Sequence, residues 1–199
     1  EHTVTEEIYG LDLVATQLRL ARGESLSEIG LDPPPPPRGR ALQLRVCAER
    51  FSADGGVPPS GGRFTRFAPP MGPGVRIDTL TRAGDAPSPL YDPLIAKLVV
   101  RQGQAGSGQG GDVDRDASDF AALLSRARSA VAGFEIAGAD TNLGVLAALL
   151  EHPSVTAYAP TTEMIEADAA ALAARAEVYV QSRPPAPGGS RGDGALAPA

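Results

Sequence analysis

The chain has 199 residues, room for one domain with tails, and its 18 basic and 24 acidic side chains give a formal charge of −6, the wrong sign for an electrostatic nucleic-acid binder. Its longest apolar runs fall far short of the ~20 residues a membrane helix requires, and no basic-then-apolar leader opens it, so a membrane or secretory destination is not expected. One cysteine, Cys47, excludes an internal disulfide, and His2 and His152 sit far apart and make a poor metal-ligand set.

Ile8, Leu11, Ala15 and Leu18 recur at steps of three and four, with Val14 adjacent, which predicts an amphipathic helix over 8–21. Gly23 follows where a left-handed C-terminal cap favours glycine. Pro33 to Pro37 form an unbroken proline run that cannot continue a helix and reads as an extended spacer. Residues 41–49 then alternate as a strand does. Leu42, Leu44 and Val46 share one face and Gln43 and Arg45 the other.

A turn-rich loop over 55–62 leads to a short strand at 63–67. After the Gly72-Pro73-Gly74 bend, Val75, Ile77, Thr79 and Thr81 alternate with Arg76, Asp78, Leu80 and Arg82. The run over 94–100 is nearly all apolar, interrupted by Lys97, as in a buried strand. Residues 103–116 are polar, glycine-rich and aperiodic, with too little apolar surface to offset the entropy of ordering.

Helices follow. Phe120, Leu123, Leu124, Ala127 and Val131 share one face of a helix over 117–131. A second starts at Asp140 or Thr141, either a competent cap, and ends near Leu150. A third, alanine-rich, spans 162–179. Residues 184–199, rich in Pro, Gly and Ala, read as a linker or free tail. The order is helix, strands, helices: an α+β domain built on an antiparallel sheet with flanking helices.

Generic catalytic motifs are absent. There is no Walker-type phosphate loop, no H-E-x-x-H and no G-x-S-x-G elbow, and the glycines of 106–111 open no lysine-bearing helix. Longer patterns are more specific. Glu1-His2-Thr3-Val4-Thr5-Glu6-Glu7, then Gly10-Leu11-Asp12-Leu13-Val14 and Gln17-Leu18, are followed by Arg40-Ala41-Leu42-Gln43-Leu44-Arg45-Val46-Cys47-Ala48-Glu49. Pro59-Ser60-Gly61-Gly62-Arg63, Gly72-Pro73-Gly74-Val75-Arg76-Ile77-Asp78 and Ala83-Gly84 come next. Tyr91-Asp92-Pro93-Leu94-Ile95-Ala96-Lys97-Leu98, Gly138-Ala139-Asp140-Thr141-Asn142 and the stretch from Thr162 to Glu166 complete the set. In this order, and apart from the proline and glycine inserts, residues 1–182 resemble the C-terminal part of the biotin carboxylase component of acyl-CoA, pyruvate and urea carboxylases.

The resemblance implies the C-terminal domain of an ATP-grasp biotin carboxylase, which uses ATP, magnesium and bicarbonate to carboxylate biotin on a carrier. Glu1 matches the family glutamate that deprotonates bicarbonate, a task for a positioned carboxylate. Arg45 matches the arginine that contacts bicarbonate and biotin and stabilises negative charge on biotin's cyclic urea. A guanidinium suits that role, being always charged and presenting a planar fork of donors. His2 is given an orienting role, and Arg76 and Asp92 a role in subunit contact or local ion pairing.

The same resemblance divides the chain into the end of the ATP-grasp lobe with a connecting helix (1–32), a polyproline linker (33–40), the C-terminal domain (41–182, with a flexible insert over about 103–116) and a tail (183–199). It implies an upstream ATP-grasp lobe, a biotin carboxyl carrier domain, a carboxyltransferase and a possible homodimer as partners, without nucleic acid or membrane, in the cytoplasm or mitochondrion. The family's nucleotide-gripping lysines, glycine-rich lid and magnesium carboxylates precede the Glu-His motif. The chain is therefore expected to be a C-terminal fragment or split subunit, inactive alone; the alternative is a non-catalytic interaction or scaffold domain. Thr3, Gln43, Cys47 and Arg50 depart from commoner family residues, and Cys47, on an apolar-flanked strand, reads as a packed thiol.

Overall fold

The computed structural model describes residues 2–88, 90–103 and 113–183. Its elements are α1 (Thr3–Tyr9), α2 (Leu13–Ala21), β1 (Arg40–Cys47), β2 (Gly62–Ala68), β3 (Val75–Asp78), β4 (Leu94–Gln102), α3 (Val113–Gly133), β5 (Glu135–Ala139), α4 (Leu143–Leu150), α5 (Pro153–Thr156), α6 (Thr162–Ala167) and α7 (Ala169–Ser182). The α+β class and antiparallel pairing are as expected. Three strands form one sheet in the order β1-β4-β3, and β2 and β5 form a separate ribbon. Among the described residues no helix is long and apolar enough to cross a membrane.

The period-two alternation of β1 and β4 sorts the three-stranded sheet into two unlike faces. Register pairs Leu42 with Val100, Leu44 with Leu98 and Val46 with Ala96, while Val75 and Ile77 oppose Val100 and Leu98 from the other side. This apolar face packs on Leu123, Leu124, Ala127 and Val131 of α3 and Leu143 and Leu150 of α4, all in one buried core. The ribbon closes the core's end with Phe64 and Phe67, and the Phe67 ring meets Phe134 edge-on at a centroid distance of 5.3 Å. α7 lies close along α4: a Cβ on Gly144 would stand 2.7 Å from the Ala176 carbonyl oxygen, so only glycine fits there.

The opposite face carries Gln43, Arg45, Lys97, Val99, Arg76 and Asp78. Register sets them in two rows across the strands, Gln43–Val99–Arg76 and Arg45–Lys97–Asp78. α1 lies over the first row. Thr3 Oγ1 donates to Gln43 Oε1 at 2.5 Å at one end, and Arg76 Nη1 donates to Glu6 Oε2 at 3.0 Å and Glu7 Oε1 at 3.2 Å at the other. Seven residues rising 1.5 Å each cover roughly 10 Å, two strand spacings, so the helix bridges β1 and β3 and buries Val99 between.

Several expectations are corrected. The helix expected over 8–21 is two helices, because Gly10 takes φ 67° and closes α1, and Asp12 then restarts the chain by accepting from the Ala15 amide at 2.8 Å. The alternation after Val75 yields a strand of only four residues; the Thr79 hydroxyl donates to the Ile95 carbonyl at 2.6 Å where the next ladder bond would form. The helix expected over 162–179 breaks at Asp168, whose Oδ2 lies 3.0 Å from His152 Nε2. Strand β5 was not foreseen, and α3 begins at Val113, inside the stretch read as aperiodic. Of that stretch 104–112, and all of the tail 184–199, lie outside the described residues.

Candidate functional site

The second row of the polar face is the most distinctive chemistry on the molecule. β1 turns Arg45 away from the core, because Leu44 and Val46 on either side face inward and are buried. Its side chain is 45% exposed, and Nη2 forms a long ion pair with Asp92 Oδ2 at 3.8 Å. Directly across the ladder sits Lys97. Facing residues of an antiparallel pair hold their Cβ atoms ~4.5–5.5 Å apart, and like charges so placed repel. Asp78, on the far side of Lys97, is already engaged by Arg76 Nε at 2.9 Å. Among the described residues no carboxylate forms an ion pair with Lys97. Two adjacent cations, with Asp92 3.8 Å from Arg45 and with Asp78 across from Lys97 but bonded to Arg76, leave room for an anion in this row.

Asp92 is fixed by its own turn, its Oδ1 accepting from the Leu94 amide at 2.9 Å. The structure thus brings two of the sequence-selected residues, Arg45 and Asp92, to one place. Arg76 lies in the neighbouring row, held within the chain by Glu6, Glu7 and Asp78. Glu1 falls outside the described residues. His2 is exposed, and its carbonyl accepts from the Thr5 amide at 3.0 Å. Two positions beyond Glu1, Thr3 is tied to Gln43, which precedes Arg45 on the same face of β1. Thr3 and the arginine strand therefore belong to one local structure.

Cys47 is buried at the end of β1, and burial, reinforced by the Glu49 carboxylate and opposed by Arg45, pushes its thiol up to about 11. Only about one thiol in a thousand is then ionised at pH 8, so Cys47 is expected to resist iodoacetamide in the folded chain and to react once it is unfolded. Mass spectrometry of the alkylated protein checks this; rapid labelling under native conditions would contradict the packed-thiol assignment.

Two residues of the site went unassigned in the sequence. Lys97 left a signal, since a lysine interrupting an apolar strand must reach the face away from the core. Asn142 left none. Its carboxamide bonds Cys47 N at 3.0 Å and Arg45 O at 3.0 Å, contacts that span more than ninety positions of sequence. For metal ions, no group of three or more His, Cys, Asp or Glu among the described residues is arranged to hold one.

The biotin carboxylase C-terminal domain family matches residues 43–108, which contain Arg45, Lys97 and the polar rows. A biotin carboxylase of Halalkalibacterium halodurans is 33% identical across 83% of this chain, corresponding to 32% of that protein. A solved single-chain, multi-domain long-chain acyl-CoA carboxylase superposes with a TM-score of 0.75 at 41% identity, over 87% of this chain and 17% of the other. The biotin carboxylase domain dimer of Hydrogenobacter thermophilus 2-oxoglutarate carboxylase, solved with MgADP, ADP and bicarbonate, gives a TM-score of 0.70 at 29% identity, over 86% of this chain and 34% of the other. The chain spans about a third or less of these proteins. With this family match, the same fold and these relatives, the chain belongs to the biotin carboxylase family and carries the C-terminal part of that enzyme component.

Proposed function

We propose that this chain supplies the biotin-facing surface of a biotin carboxylase, with Arg45 as the fixed cation at which charge builds on biotin's ureido oxygen. The observation that carries the reading is the ladder pair Arg45–Lys97, two cations side by side on the polar face of the sheet, with Asp92 3.8 Å from Arg45 and Asp78 bonded to Arg76. A cation already in place costs no reorganisation when the charge develops, which is why such groups contribute strongly to rate. Lys97 adds a second positive charge for bicarbonate or the carboxyl group in transit. Asp92 keeps the guanidinium aimed along the row while leaving its other nitrogens free for an oxyanion.

Glu1 takes the role of base toward bicarbonate in this reading, supported by the family motif to which it belongs. In the same reading, as the family resemblance implies, an ATP-grasp lobe holds ATP and magnesium. The other proposed partners are a biotin carboxyl carrier domain, which delivers the ring, a carboxyltransferase, and a second copy, as in the dimeric relative.

The test separates this from a scaffold role. Isolated chain, incubated with MgATP, bicarbonate and biotin, is expected to release no phosphate above background. Adding the ATP-grasp lobe of the same carboxylase is expected to start biotin-dependent carboxylation, measured as fixed radiolabelled bicarbonate. Turnover by the chain alone, or a reconstituted assembly that hydrolyses ATP without fixing label, would contradict the proposal.

A further inference from the structure

We infer that Asn142 is the positioning residue for Arg45, standing in for a strand on the open edge of β1; the inference rests on the role given to Arg45 above. β1 is an edge strand, paired with β4 alone. An edge leaves a row of amides and carbonyls without ladder partners, each needing another group or water. At Arg45 and Cys47 that need is met by one residue. The Asn142 amide donates to Cys47 O at 3.1 Å, its side-chain Oδ1 accepts from Cys47 N at 3.0 Å, and its Nδ2 donates to Arg45 O at 3.0 Å. A fourth bond, Nδ2 to Glu49 Oε1 at 3.2 Å, extends the grip two residues further.

The orientation of this amide is fixed by what it meets. One neighbour is an N–H and can only donate; the others are a carbonyl and a carboxylate and can only accept. The clamp also falls where the strand most needs it. Register runs unbroken from Arg40 opposite Gln102 to Val46 opposite Ala96, then slips, with Cys47 opposite Leu94 and Ile95 as the extra residue. A bulge loosens the ladder and lets the chain bend. Asn142 holds both sides of that slip, and it does so from the start of α4, whose Leu143 and Val145 are buried. The direction of the Arg45 side chain is thereby referred to the core rather than to a free edge.

The side chain is also diverted from its usual duty. Asn142 occupies the N-cap position of α4, yet it makes no cap bond to the helix it begins. Helix stability has been set aside in favour of the strand. That choice makes sense if the geometry at Arg45 matters more than about 1 kcal/mol of capping.

A double-mutant cycle in the complete carboxylase tests the inference. Asn142→Ala and Asn142→Asp are each made alone and with Arg45→Ala; the aspartate keeps the acceptor for Cys47 but turns a carboxylate oxygen toward Arg45 O and Glu49. With Arg45 present, both are expected to lower kcat for biotin carboxylation about 10- to 100-fold, the scale on which a small misplacement of a reacting group is felt, with KM for ATP unchanged. With Arg45→Ala they are expected to lower it no further, while any loss of thermal stability is the same in both backgrounds. Should Asn142→Ala not fold, Asn142→Asp carries the test by itself. An equal fold-loss in both backgrounds, or full activity of the Asn142 variants beside a crippled Arg45→Ala, would overturn the inference alone. An Arg45→Ala enzyme of normal activity would overturn the proposed function, and this inference with it.

Discussion

Replacing Arg45 by alanine in the complete carboxylase is expected to slow biotin carboxylation by about 10²- to 10³-fold, the usual cost of removing one preorganised donor to a developing oxyanion. Nucleotide affinity should be unchanged, because the side chain sits on the polar face of β1 and, among the described residues, its ion pair is the long one to Asp92. Arg45→Lys should recover little. A lysine has the charge but not the planar fork, and it would stand opposite Lys97 as a second compact, strongly hydrated ammonium. Steady-state rates of carboxylation, set beside ATP binding measured on the same variants, check the expectation. Parallel losses in both would point to a folding role instead.

Phe134→Ala is expected to have the largest effect on stability, about 3–5 kcal/mol on the unfolding free energy, as large-to-small changes at well-packed aromatic positions do. Phe134 is fully buried, joins α3 to β5, and holds the ribbon to the core through its edge-on contact with Phe67. Its carbonyl also accepts from Arg183 Nη2 at the end of α7, so one residue touches three elements. Denaturant unfolding followed by circular dichroism measures the loss; a change under about 1 kcal/mol would show that the ribbon is not part of the cooperative core.

The two faces of β1 were readable because period-two alternation is strict there, and a register error of one residue would put Arg45 in the core and Leu44 in water. The same strictness made the exposure of Arg45 legible before any coordinates. Local breaks were not. Ile8, Leu11, Ala15 and Leu18 keep helical spacing straight through Gly10, so the apolar stripe hid a left-handed residue that ends one helix before Asp12 begins the next. Alanine did the same at Asp168, where the interruption comes from His152, sixteen positions away. β5 is Glu-Ile-Ala-Gly-Ala, too short and too small in side chains to announce a strand, and its partner β2 lies about seventy positions earlier. Asn142 was beyond reach for a related reason. Asp140 and Thr141 offered cap chemistry of the same kind, and only the folded chain shows that the asparagine beside them serves β1.

The family motif located the arginine strand, but a motif states which residues recur and not how they are held. α1 bonds Gln43 at one end of the first row and Arg76 at the other, while the second row holds the Arg45–Lys97 pair on which the proposed function rests.

The central claim is tested most directly by a crystal structure of the complete carboxylase with biotin and bicarbonate bound. The account expects the Arg45 guanidinium about 2.7–3.1 Å from the ureido oxygen, the range of a working oxyanion donor, with Lys97 beside the bicarbonate. Biotin bound elsewhere in an active crystal, or an Arg45 closed onto Asp92 with the ring out of reach, would contradict it.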